Sequence, residues 1–146
     1  MNQSLIQHFE DYLRGQQLRL TDQRRLIINE FVRTKGHISA EELYRNIQKT
    51  TPGIGFATVY RTLKLLADAG LALGKNFGDG FVRFECCSLT VGHHDHLICN
   101  RCGKIIEFNN PTIEELQLAV AQEHGFIISD HSLDIHGVCQ ECTPGE

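Results

Sequence analysis

The sequence predicts an α+β protein in two parts, a winged-helix unit over residues 1–87 and a small, ligand-rich α/β unit over residues 88–146. Three observations carry this. Four helix-like runs with starts and stops are followed by a glycine-centred hairpin. Charge is split: residues 1–80 hold 11 Lys/Arg against 8 Asp/Glu, and residues 81–146 hold 3 against 10. All six cysteines and six of the eight histidines fall in that acidic second part. A basic, ligand-poor front and an acidic, ligand-rich back point to different tasks.

Each element has its own signal. Leu5, Phe9, Tyr12 and Leu13 make one helical stripe that ends at Gly15. Thr21 is a helix N-cap, with Asp22 in the first turn, Leu26, Ile27 and Phe31 facing inward, and Gly36 closing the run. Ser39-Ala40-Glu41-Glu42 is a capping box that starts a third helix bearing Leu43 and Ile47, halted before Pro52-Gly53. The fourth helix runs from Phe56 toward Gly70, with Val59, Leu63 and Leu66 as its buried stripe and Gly70 just past its end. Two extended runs, 71–77 and 81–87, flank Gly78-Asp79-Gly80 and read as a hairpin wing.

The back half continues with short strands over 96–99 and 104–108. A helix follows, opened by Asn110 and Pro111, with Ile113, Leu116 and Val120 facing one way until Gly125. Residues 126–138 read as extended, Leu133 and Ile135 alternating with Ser132, Asp134 and His136. So small a unit supports only a thin core, which metal staples and self-association would reinforce. Overall hydrophobic content is 41% and the net charge −4, ordinary for a soluble globular chain. The longest apolar runs, such as Leu71-Ala72-Leu73, fall far short of the roughly 20 residues a membrane span needs. The start shows no basic region leading into an apolar stretch, so a cytoplasmic location is expected.

The densest chemistry lies in His93-His94-Asp95-His96-Leu97-Ile98-Cys99-Asn100-Arg101-Cys102. Cys99-x-x-Cys102 and Cys139-x-x-Cys142 supply four thiols in two tight turns, the donor set of a closed tetrahedral Zn²⁺ site. A redox dithiol is the competing reading, but no βαβ pattern surrounds either motif and disulfides are disfavoured in the cytosol. A closed four-thiolate site has no open position, so it would hold the fold and not catalyse. Alternation along an extended 93–96 segment turns His94 and His96 to one side and His93 and Asp95 to the other. His37 and Glu85 are the best-placed partners for the first pair, a set that suits Fe²⁺, Mn²⁺ or Zn²⁺. Glu114 and His131 are the partners for the second, although spacing alone leaves ordinary surface charge as an equal alternative. Glu107 could serve either site.

In the front half, the exposed N-terminal face of the fourth helix offers Ala57, Thr58, Tyr60 and Arg61 for base edges in a major groove. Arg19 could enter a narrow minor groove. Lys64 and Arg14 are better read as the coat of a soluble helix.

Four stretches together resemble the ferric uptake regulator (Fur) family of bacterial metal-dependent repressors. They are Gly55-Phe56-Ala57-Thr58-Val59-Tyr60-Arg61, His37-Ile38-Ser39-Ala40-Glu41-Glu42-Leu43-Tyr44, the His93–Cys99 run with Cys102-Gly103-Lys104-Ile105-Ile106-Glu107-Phe108, and the Cys139/Cys142 pair. The resemblance runs in order from about residue 16 to 142. It implies an N-terminal winged-helix DNA-binding domain, a C-terminal dimerisation domain, and a homodimer (or a tetramer built from it) on a palindromic double-stranded DNA operator. It also implies Tyr60 and Arg61 in the major groove and Arg19 in the minor groove, where the family commonly has Lys. Cys99, Cys102, Cys139 and Cys142 would be structural; His37, Glu85, His94 and His96 regulatory; His93, Asp95, Glu114 and His131 accessory, with Glu107 sometimes recruited.

On this resemblance the expected function is an iron-responsive repressor of iron uptake and homeostasis genes, with Fe²⁺ regulatory and Mn²⁺ or Zn²⁺ as substitutes. A zinc-responsive member is the alternative kept alive by Cys86 and Cys87. A peroxide- or manganese-sensing member is another, disfavoured because peroxide sensors usually carry Asp where Glu85 stands. A zinc hydrolase or deaminase is a distant class. Deaminases need His-x-Glu with Pro-Cys-x-x-Cys, and here Ile98 precedes Cys99. A metal-storage module would leave the Thr58–Arg61 face unexplained.

Overall fold

The computed structural model describes residues 2–87 and 94–143, in two compact units, Met1–Val91 and Gly92–Glu146. In the first, helices α1 (Asn2–Gly15), α2 (Asp22–Arg33), α3 (Ala40–Thr50) and α4 (Phe56–Asp68) precede a sheet of β1 (Ile38–Ser39), β2 (Ala72–Asn76) and β3 (Val82–Cys86). The helix starts fall where their caps are. Thr21 Oγ1 accepts from the N–H of Arg24 at 3.3 Å. Ser39 Oγ accepts from Glu42 N, and Glu42 Oε2 accepts from Ser39 N at 2.9 Å, completing the capping box. Gly70 follows α4 at φ 72°, a left-handed position that glycine takes without strain.

Phe9, Leu13, Ile27, Phe31, Leu43, Leu63 and Leu66 are fully buried and form the centre of one core. Three details differ from the sequence reading. Leu26 is exposed and Ile28 is buried in its place, because α2 turns a narrower stripe of 27, 28 and 31 onto α3 and α4. α2 stops at Arg33, where Thr34 caps it, ahead of Gly36. Residues Ile38 and Ser39, read as only the approach to a helix, also form β1 and pair antiparallel with Phe84 and Arg83. The sheet order β1-β3-β2 makes β3 the central strand of the wing sheet. Phe84 and Cys86 turn into the core, and Glu85 faces the other way.

The second unit contains β4 (Asp95–Cys99), β5 (Ile105–Phe108), α5 (Pro111–Glu123), β6 (Asp134–Gly137) and a 3₁₀ turn at Gln140–Cys142. Strand β4 is central, antiparallel to β5 and parallel to β6. Asn110 Oδ1 caps α5 by accepting from Thr112 N at 3.0 Å, with Pro111 in its first turn. The expected long extended run 126–138 is a strand only over Asp134–Gly137, the four residues that have β4 beside them. The apolar stripe of α5, expected to face inward, lies open: Leu116 is 61% and Val120 55% exposed. No helix among the described residues is long and apolar enough to cross a membrane.

Candidate metal centres and nucleic-acid interface

The sulfurs of Cys99, Cys102, Cys139 and Cys142 lie within 4.8 Å of one another. β4 brings Cys99 to the end of the central strand, and the turn after it is closed by Gly103 N donating to Cys99 O at 3.0 Å. Gly103 holds φ 73°, which lets that turn be tight. The second knuckle is the 3₁₀ turn, with Cys142 N donating to Cys139 O at 2.9 Å. Ties between the knuckles include Arg101 Nη1 donating to Cys142 O at 2.7 Å, Lys104 Nζ meeting Glu141 Oε1 at 2.6 Å, and Cys139 N donating to Cys99 Sγ at 3.4 Å.

This donor set fits Zn²⁺. A tetrahedron with metal–sulfur bonds of about 2.3 Å has edges of about 3.8 Å, and Cys102 Sγ stands 3.7 Å from Cys139 Sγ. The thiols do not behave alike without a cation. Backbone N–H groups of Cys139 and Cys102 aim at the Cys99 sulfur and bring its pKa down to about 6, against the opposing effect of burial. Hydrogen bonds shared with the Cys102 and Cys139 sulfurs, with burial, push Cys142 up to about 12. A cation placed among the four sulfurs would favour ionising those that their neighbours hold protonated.

The residues expected to sense metal fall into two groups, one in each unit. In the first, His37 Nε2 and Glu85 Oε2 are 3.2 Å apart with both side chains buried. The Phe77 ring packs edge-on against His37, centroids 5.1 Å apart. His37 precedes β1, and Glu85 lies on the face of β3 opposite the core, so the pairing of β1 with β3 brings the two together. In the second unit, ligand atoms of His94, His96 and Glu107 lie within 4.8 Å of one another. His96 and Glu107 are register partners across β4 and β5, and the His94 and His96 rings meet edge to face at 5.0 Å. Glu107 thus joins the His94/His96 face, a choice that sequence spacing left open.

Of the accessory set, Glu114 Oε2 and His131 Nε2 come to 3.0 Å. Asp95 is completely buried on β4, and His93 lies outside the described residues. His131 is not on a strand as expected; it sits in the segment leading to β6. Asp134 was missed as a site residue: its Oδ1 is 3.1 Å from His96 Nδ1. Alternation had marked Asp134 as polar, but only the parallel pairing of β6 with β4 sets it beside His96.

On α4, the face opposite Val59, Thr62, Leu63 and Leu66 presents Ala57, Tyr60 and Arg61, all exposed, with Thr58 half-buried. Thr62 is held inside by donating to Thr58 O at 2.7 Å. Tyr60 stacks on Phe56 (centroids 6.3 Å, 25° between planes), and Phe56 meets Tyr44 edge-on at 5.7 Å. Arg19 is exposed in the turn before α2, and its carbonyl accepts from the Arg24 guanidinium.

A winged helix that displays an aromatic and an arginine from its fourth helix, in one chain with a four-thiolate knuckle pair and histidine–carboxylate clusters, defines a metal-responsive DNA-binding regulator. The ferric uptake regulator family model matches residues 15–136. The chain is 40% identical over 141 residues to the ferric uptake regulation protein of Campylobacter jejuni, covering 95% of this chain and 88% of that one. It is 36% identical over 129 residues to the peroxide operon regulator of Bacillus subtilis, covering 88% and 87%. The solved Helicobacter pylori ferric uptake regulator, described as having three functional metal-binding sites, superposes with a TM-score of 0.89 at 27% identity, over 100% of this chain and 96% of that one. The chain belongs to the ferric uptake regulator family, and is accordingly a metal-dependent transcriptional regulator and not an enzyme. Regulators of this family bind DNA and act as dimers.

Proposed function

We propose that the protein is an iron-responsive repressor that binds a palindromic operator as a homodimer when its regulatory site holds Fe²⁺. Residues 1–87 form the DNA-binding domain, with Tyr60, Arg61, Ala57 and Thr58 reading the major groove and Arg19 the minor groove. Residues 88–146 form the dimerisation domain; the exposed Leu116 and Val120 supply apolar surface for the second copy. Cys99, Cys102, Cys139 and Cys142 hold a structural Zn²⁺. His37, Glu85, His94 and His96, with Glu107, hold the regulatory ion, and Asp95, Glu114 and His131 with His93 form the accessory site. Its place of action on this reading is the cytoplasm, where a bacterial operator is accessible.

The observation that carries this reading is the donor chemistry assembled within each unit: His37 beside Glu85 in the first, and His94, His96 and Glu107 together in the second, hard-to-borderline donors in both cases. A divalent cation bound by both would supply the positive charge that favours one arrangement of the DNA-reading units. It shifts that population only by its differential affinity for that arrangement. A zinc-sensing variant that used Cys86 as ligand is disfavoured, because Cys86 points with Phe84 into the core and away from Glu85. The test is operator affinity against buffered free Fe²⁺, Mn²⁺ and Zn²⁺. Activation by Fe²⁺ at lower free concentration than physiological Zn²⁺ buffering allows for zinc supports the reading; activation by Zn²⁺ alone refutes it.

A further inference from the structure

We infer that Asp134 is a positioning residue for the regulatory centre, fixing the tautomer and ring orientation of His96; this rests on the assignment of His96 as a regulatory ligand. Asp134, His96 and Glu107 occupy one rung of the three-stranded sheet: His96 is in register with Asp134 on β6 and with Glu107 on β5. His96 N also donates to Leu133 O at 3.0 Å, which locks β6 against β4 at this rung. The ring of His96 is buried, and its Nδ1 lies 3.1 Å from Asp134 Oδ1, itself largely covered.

An ionised carboxylate only accepts hydrogen bonds. Placed on Nδ1, it selects the Nδ1–H form of the imidazole and so directs the Nε2 lone pair to a metal. The same contact opposes ring rotation. Glu107, on the other neighbouring strand, is a donor toward the ion; Asp134 acts through the histidine. The two carboxylates beside His96 therefore have different tasks, although both are its register partners.

The experiment compares wild type, Asp134→Ala, Asp134→Asn and His96→Ala as full-length, zinc-replete protein. It reads Mn²⁺ affinity and, without added Mn²⁺, the His96 tautomer from ¹⁵N-histidine NMR at mildly alkaline pH. Loss of such a partner weakens metal binding about 10–100-fold. That loss is expected for Asp134→Ala, with zinc content and unfolding midpoint retained. Asn keeps an acceptor oxygen, so Asp134→Asn should preserve the Nδ1–H tautomer and recover most of the affinity, whereas Asp134→Ala should lose that tautomer. An Nε2–H tautomer in wild type, a tautomer identical in all Asp134 variants, or an unchanged Mn²⁺ affinity in Asp134→Ala overturns the inference. Unchanged Mn²⁺ affinity in His96→Ala instead overturns the regulatory assignment, and the tautomer measurement still reports on Asp134.

Discussion

Tyr60→Ala and Arg61→Ala should weaken operator binding in ways that salt separates. Tyr60 is 46% exposed and α4 is held by Val59, Thr62, Leu63 and Leu66, so neither change opens the core. Removing Tyr60 also removes its stacking on Phe56, a term of about 0.5–1.5 kcal/mol, which leaves a domain of ordinary stability folded. A base contact contributes about 1–3 kcal/mol, or roughly 5–150-fold in affinity. Tyr60 carries no charge, so that loss should come with an unchanged slope of log affinity against log salt. Arg61→Ala should cost a similar factor; if the guanidinium lies on a phosphate, the slope should also flatten by about 0.9. Fluorescence anisotropy with a labelled operator, at saturating regulatory metal and several salt concentrations, measures both quantities. Unchanged Tyr60→Ala affinity at fixed salt, or a slope altered by that substitution, would refute the assignment of this face to base reading.

Other substitutions test the remaining parts. Cys99→Ser should lose one tightly held zinc per chain and the dimer with it, read by metal analysis and sedimentation; a zinc-replete dimer contradicts the four-thiolate site. His96→Ala should abolish metal-stimulated operator binding while keeping structural zinc. Leu116→Asp, on the open face of α5, should shift sedimentation toward monomer without loss of zinc. Ser39→Ala removes half of a capping box and should lower stability by about 0.5–2 kcal/mol, measured by urea unfolding; no change would mean that the β1–β3 pairing alone fixes the start of α3.

Local signals were legible in the sequence and long-range ones much less so. Thr21, Ser39 and Asn110 announced their helices because a cap is a contact over two or three residues. The paired Cys-x-x-Cys turns announced a tetrahedral site for the same reason, and period-two alternation assigned His96 and Asp95 to different faces. The two-residue β1 was hidden inside a capping box, and it exists only because β3, some 45 residues later, passes beside it. The apolar stripe of α5 was visible, but an amphipathic pattern reads the same whether it meets a core or a second chain. Leu26 and Ile28 flank the Ile27 and Phe31 stripe on opposite sides of one helix, and only the packing partners decide between them. Asp134 is the extreme case, since its meeting with His96 depends on the register of a parallel pair 38 residues apart.

That register also couples the two ends of β4. His96 lies three residues before Cys99 on β4, about 10 Å along the strand, and a slip of one residue would turn every side chain of β4 to the wrong face. The thiol cluster at the strand end, together with the Asn100 N to Gly137 O hydrogen bond of 2.8 Å, opposes such a slip. If the assignments proposed above hold, zinc bound at the strand end would help to keep the histidine rung in register. On that proposal, a chain stripped of zinc should bind the second metal more weakly while keeping every one of its sensing side chains.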